Sequence, residues 1–209
     1  MKEKSRCGML LRQCIAILTT LIIFGCSGGG TPQWTETEKN SEAFFGGVAA
    51  DEARAALVGK DMLSVGGSSA DAAVAMAFAL MVSRPDSAGP GGGGICVHYD
   101  KTSNKAETLE FLPKTSVKIP PNGRWSASIP GSFRGLFSLH ARYGKLRWEQ
   151  IVQPAEQAAR FGWPISKGLF FALRNSGDKV IKDERVRSIF SASKDQFLSF
   201  EKIVKQLSL

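Results

Sequence analysis

The stretch Gly66–Tyr99, GGSSADAAVAMAFALMVSRPDSAGPGGGGICVHY, decides how the chain folds. Its middle, Ala72 to Val82, is apolar on every side and too long and Ala-rich for a typical strand. A helix without a polar face either crosses a membrane or sits inside a sizeable protein. Crossing takes roughly 20 apolar residues, and this run is shorter, so the spacing predicts a core helix. Ser68 or Ser69 supplies its N-cap, with Asp71 in the first turn. Arg84-Pro85 stops it, because proline pushes the preceding residue out of the helical region.

The glycine run that follows, Gly89-Pro90-Gly91-Gly92-Gly93-Gly94, fails as a phosphate loop. It lacks a Gly-Lys-Ser/Thr ending, no strand precedes it, and a strand rather than a helix follows. It reads instead as backbone that turns sharply and passes close to another segment or a ligand. Ile95–Tyr99 and Thr108–Leu112 are expected to pair as a hairpin around Asp100–Lys105.

Upstream, Val48-Ala49-Ala50 reads as a short strand leading into an amphipathic helix from about Asp51. That helix has Ala53, Ala56, Leu57 and Leu63 inward and Asp51, Glu52 and Lys60 outward. Downstream the chain is helix-rich. Gly131-Ser132 opens a helix presenting Phe133, Leu136, Phe137, Leu139 and His140, with Gly144 as C-cap. A second helix from Trp148 presents Ile151, Val152, Ala155, Ala158 and Ala159 and ends at Gly162. Pro154 is expected to kink it or detach its first turn. Gly168–Leu173 and Phe197–Leu207 read as short helices.

A length of 209 residues, 43% hydrophobic and 22% charged, is that of a globular chain of one or two domains. The net charge of +8 is interleaved with acids, as in Lys182-Asp183-Glu184-Arg185, and does not gather into a nucleic-acid-binding face. Met1–Gly25 has a basic start, an apolar run and a small residue at its end, the pattern of an export signal. Cys26 after Ile23-Phe24-Gly25 resembles the lipidated first residue of a mature bacterial lipoprotein. That resemblance implies an exported protein, periplasmic or at the outer membrane, anchored by lipid at Cys26. Residues 26–45 then form a polar tether and 46–209 the folded domain. Of four cysteines, Cys7 and Cys14 would leave with the signal and Cys26 would be capped. Cys96 alone remains, which excludes a disulfide framework.

Chemistry is sparse. His98 and His140 have no spaced metal partner, and no G-x-S-x-G frames a serine nucleophile. Ser87 is the one serine considered for such a role. The adjacent pairs Asp51-Glu52 and Asp183-Glu184 point to different helix faces and do not form an acid/base team.

Several ordered motifs together resemble the N-terminal, large-subunit part of the γ-glutamyltransferases (glutathione hydrolases). They are Val48–Glu52, Leu63–Ala75, Gly91–Val97, Ile129–Ser132, Arg142–Gly144, and Trp148 through Pro154-Ala155 to Gly162. The resemblance extends from about Gly46 to Leu169. It implies an α+β fold, part of the four-layer αββα sandwich of N-terminal-nucleophile hydrolases. It also implies transfer of a γ-glutamyl group from glutathione-type substrates through an acyl-enzyme, with no metal or organic cofactor. The nucleophile would be a threonine opening a small subunit, with its own α-amino group as base. No matching Thr-Thr-His stretch occurs here, and Thr102, Thr108 and Thr115 lie in the hairpin region. No catalytic residue is therefore expected in this chain, and a separate small-subunit polypeptide is an implied partner. Many family members clamp the substrate α-carboxylate with an arginine where this chain has Leu112. Lys114, two positions on, is the candidate substitute. A degenerate lipoprotein acting by partner binding is the alternative.

Overall fold

The computed structural model describes residues 46–115, 128–176, 180, 182–193 and 196–207. Cys26, the expected signal and the expected tether lie outside them.

Helix α1 (Ala53–Ser64) begins where the Glu52 carboxylate accepts the Ala55 N–H. Glu52 is therefore buried rather than outward. The buried face of α1 is Ala55, Gly59 and Met62, whereas Leu57 is 55% exposed. Gly59 decides this orientation, because a Cβ there would strike the Met76 sulfur. The expected strand at Val48–Ala50 does not form, since no neighbouring strand pairs with it among the described residues.

Helix α2 (Ser69–Ser83) is the centre of the molecule. Val74, Ala75 and Ala79 have no exposed surface, and Ala72, Val82 and Phe78 little. Its start is a capping box: Ser68 Oγ accepts the Asp71 N–H at 3.2 Å, and Asp71 Oδ2 accepts the Ser68 N–H at 2.8 Å. Helices α1, α3 (Ser132–Tyr143) and α4 (Trp148–Phe161) pack around it. One core results, closed by Leu136, Leu139, Ile151, Ala155, Ala158 and Ala159.

Pro154 lies inside α4 without dividing it. The loss of one backbone donor is offset by the burial of Ile151, Ala155, Ala158 and Ala159 on the α2 side. In α3 the buried residues are Ser132, Gly135, Leu136 and Leu139, while Phe133 and Phe137 are about half exposed at 54% and 55%. Those two rings stay at the rim, Phe133 beside Phe78 and Phe137 edge-on to Trp148.

Strands β1 (Ile95–Asp100) and β2 (Lys105–Glu110) form the expected antiparallel hairpin, with Cys96 opposite Leu109 and His98 opposite Glu107. Past α4 the chain is less helical than its sequence suggests. A two-residue strand β3 (Trp163–Pro164) pairs with β6 (Ile203–Val204). Between them lie α5 (Lys167–Asn175), α6 (Glu184–Phe190), and the short pair β4 (Ser191–Ser193) and β5 (Gln196–Phe197). The helix expected over Phe197–Leu207 does not form. Its backbone pairs instead with Trp163–Ile165, and Gln206 donates from its side chain to the Val82 carbonyl at 2.7 Å. A small second core of Ile165, Leu169, Leu173, Phe190 and Val204 holds this region.

Candidate functional site

The glycine loop, the end of β2 and the start of α3 converge on one residue, Phe111. Its N–H donates to the Gly94 carbonyl at 2.9 Å, and the Gly131 and Ser132 N–H groups both donate to the Gly92 carbonyl, at 2.8 and 3.2 Å. A Cβ at Gly93 or Gly131 would overlap the Phe111 carbonyl, and one at Gly135 would enter its ring. The glycine run is thus the close backbone approach its composition suggests, with Phe111 as the object approached.

Leu112 and Lys114 emerge directly from this junction. Leu112 is 45% exposed and Lys114 is exposed. The Lys114 backbone exchanges hydrogen bonds with Ile129 at 3.1 and 2.7 Å. Among the described residues Lys114 enters no ion pair. Leu112 offers only apolar surface.

Nothing around this junction resembles a nucleophile with its base. Ser87 Oγ donates to the Arg84 carbonyl at 3.4 Å, and neither histidine bonds it. Thr102 and Thr108 are exposed on the hairpin. His140 Nε2 meets the Leu146 carbonyl at 2.8 Å, which occupies it structurally. Among the described residues no three His, Cys, Asp or Glu side chains gather to hold a metal ion, and no helix is long and apolar enough to cross a membrane.

Two polar arrangements have no plain sequence signature. Arg84, expected only as a helix stop, forks its guanidinium onto Asp86 at 2.9 and 3.0 Å and reaches Asp51 at 2.6 Å. It ties the end of α2 to the approach of α1, and its donors, first those to Asp86, make it still harder to deprotonate. Asp71, expected only as a first-turn acid, is fully buried. Its Oδ2 also accepts the Lys145 and Leu146 N–H groups at 2.8 and 3.2 Å, joining the start of α2 to the α3–α4 connection. Burial pushes its carboxyl up, but the hydrogen bonds from Ser68, Lys145 and Leu146 outweigh that and hold it below the usual range. Both partners of Asp71 at the far end are remote in sequence, which is why the first-turn position alone did not expose them.

A cleft of about 510 Å³ lies elsewhere, between α2, α3 and α4. Phe78, Met81, Val82, Phe133, Ala155 and Ala159 make it largely apolar, and the charged groups on its lining, Glu156 and Arg160, pair with each other at 2.6 Å.

The order of elements, the glycine loop against Phe111 and the buried Asp71 can be set beside known proteins. A model of the family described as gamma-glutamyltranspeptidase matches residues 55–209. Scoloptoxin SSD14 of Scolopendra dehaani is 32% identical over 171 residues, covering 74% of this chain and 30% of that protein. Glutathione hydrolase 2 of Arabidopsis thaliana is 32% identical over 158 residues, covering 71% of this chain and 27% of that protein. The crystal structure of Helicobacter pylori gamma-glutamyltranspeptidase superposes with a TM-score of 0.71 at 23% identity, over 80% of this chain and 52% of that one. The chain thus spans under a third of these curated relatives and about half of the solved structure, and its helices and hairpin are part of the N-terminal-nucleophile hydrolase fold. With the family model covering about three quarters of its length, the chain belongs to the gamma-glutamyltranspeptidase family.

Proposed function

We propose that this chain is the N-terminal, large-subunit portion of an exported γ-glutamyltransferase-like protein. In that reading it supplies substrate walls and a folding scaffold, and the threonine nucleophile comes from a small subunit. The observation that carries the reading is the family match over residues 55–209. The substrate class follows from the family: a γ-glutamyl donor of the glutathione type, passed to water or an amino-acid acceptor through an acyl-enzyme. No step in that chemistry calls for a metal or organic cofactor.

Leu112 stands where the family resemblance implies a carboxylate-binding arginine. Leucine cannot supply two parallel N–H donors. Lys114, exposed and free of ion pairs among the described residues, provides a point charge in its place. The completed enzyme is therefore expected to hold a γ-glutamyl α-carboxylate weakly. An export signal and lipidation at Cys26 place the protein at the membrane surface, in the periplasm or on the outer membrane.

A second reading, a non-catalytic remnant that acts by binding a partner, is favoured by Leu112 and by the uncovered apolar face of the hairpin. Translation of the DNA downstream of Leu209 separates the two. A frame opening a Thr-led segment supports the enzyme, and its absence leaves the remnant. The purified chain alone is expected to release no anilide from a γ-glutamyl anilide. Turnover by the isolated chain would overturn the assignment of the nucleophile to another segment.

A further inference from the structure

One cluster of ionisable side chains serves neither the Leu112–Lys114 junction nor the core. The His98 ring on β1 stacks on the Tyr143 ring at the end of α3, with centroids 3.7 Å apart and planes 11° from parallel. The Tyr143 hydroxyl donates to Glu107 on β2. Arg142 Nη2 lies 3.1 Å from the same carboxylate, with its guanidinium 5.5 Å from the Tyr143 ring centre. Glu107 is the cross-strand neighbour of His98, so one carboxylate joins both strands of the hairpin to one helix end.

We propose that Glu107 is an acid-released latch that fastens the β1–β2 hairpin to the C-terminal end of α3 through Tyr143 and Arg142. The groups that act on Glu107 are Tyr143 and Arg142 from α3, His98 from β1 and Lys105 from its own strand. None is an anion at neutral pH. A carboxylate at their centre accepts from the phenol and balances the guanidinium. Once protonated it no longer balances Arg142, and the charge-assisted contacts that the phenol and the guanidinium make to it are lost. Tyr143 first, then Arg142, holds the Glu107 carboxyl below the usual glutamate range. A depressed carboxyl contributes its full stabilisation above its ordinary pKa and loses it as pH falls through the folded value, so the latch is closed at neutral pH and opens in acid. Release loosens β2, which runs directly into Phe111 and Leu112. The junction and the latch are thereby mechanically coupled. This inference does not depend on the catalytic reading, and its test uses no substrate.

The chain contains two tyrosines, so carbon-13 labelling of tyrosine gives two ring signals, with the exposed Tyr99 as internal reference. In the full chain at neutral pH the Tyr143 ring signal should carry the upfield shift of a stacked ring. On acidification it should move toward the unstacked position with a midpoint in the carboxylate range, while far-ultraviolet circular dichroism keeps its helical signal. Glu107→Gln should show the released position already at neutral pH. Arg142→Gln should move the midpoint upward, since it removes the cation that keeps Glu107 charged. Asp100→Asn, in the hairpin turn, should titrate as the wild type does. A Tyr143 signal that does not move, that moves only as the helical signal is lost, or that titrates unchanged in Glu107→Gln or Arg142→Gln would overturn the proposal.

Discussion

Asp71 is buried without exposed surface and accepts N–H groups from Ser68, Lys145 and Leu146. Removing it strands three part-buried N–H donors, each costing about 1–3 kcal/mol where water does not replace the carboxylate. Asp71→Ala is accordingly expected to cost on the order of 3–5 kcal/mol and to lower Tm by roughly 10 °C in thermal unfolding followed by circular dichroism. The same carboxyl sets a pH dependence. Its folded pKa lies below the ordinary aspartate value, so its contribution is complete above that ordinary value. It drains away as pH falls through the folded one. The acid limb of a stability-versus-pH curve should therefore be shallower in Asp71→Asn than in the wild type. Gly144 belongs to the same unit, because a Cβ there would press on His140 and on Asp71 Oδ1. Asp71 was legible as a first-turn acid behind the Ser68 or Ser69 cap. Its hold on Lys145 and Leu146, 74 and 75 positions away, was not, because local patterns carry no information about which distant N–H groups lack partners.

At the scale of elements, α4 shows tertiary packing overriding local propensity. Proline in a helix interior removes one hydrogen bond and crowds the carbonyl four residues back, at up to about 3 kcal/mol. Yet α4 runs from Trp148 to Phe161 across Pro154, because its alanine face fits closely on α2. Pro154→Ala should restore the missing donor and stabilise the protein by roughly 1–3 kcal/mol, read as a higher denaturation midpoint. An unchanged midpoint would mean that the helix already relieves the proline locally. The orientations of α1 and α3 follow the same logic in reverse. Hydrophobic spacing includes Leu57 and Phe133 in the inward faces, yet both are more than half exposed. Gly59 and Gly135 select the other faces, because only there can Met76 and Phe111 approach. The absence of a side chain, not its hydrophobicity, orients both helices.

For the whole molecule, the β1–β2 hairpin sets how the chain meets other chains. Its outer face carries Ile95, Val97 and Tyr99, which are 60%, 67% and 57% exposed. No lysine or proline guards β1, and an apolar edge strand without such guards pairs readily with other chains. The purified chain is expected to self-associate as its concentration rises in sedimentation velocity. Val97→Lys combined with Tyr99→Lys should suppress that association and leave Tm within about 1–2 °C, as expected for surface changes. A wild type that stays monomeric at all concentrations would contradict this account of the face. Over the matched part the fold is shared with relatives of which this chain covers 27% to 52%.

By itself the sequence determined the central helix, the hairpin and the family. The all-apolar run and its serine cap specify α2, the alternation around Asp100–Lys105 specifies the hairpin, and the ordered glycine and Arg142-Tyr143-Gly144 motifs specify the kinship. These rest on interactions within a few residues or on composition, which a linear text preserves. Only the tertiary structure decided which faces of α1 and α3 are buried, and that Phe197–Leu207 extends along Trp163–Ile165 instead of coiling. It also revealed that Asp71, Arg84 and Glu107 join segments distant in the chain. Those outcomes depend on where space and unpaired donors remain after the core has closed around Gly66 to Tyr99.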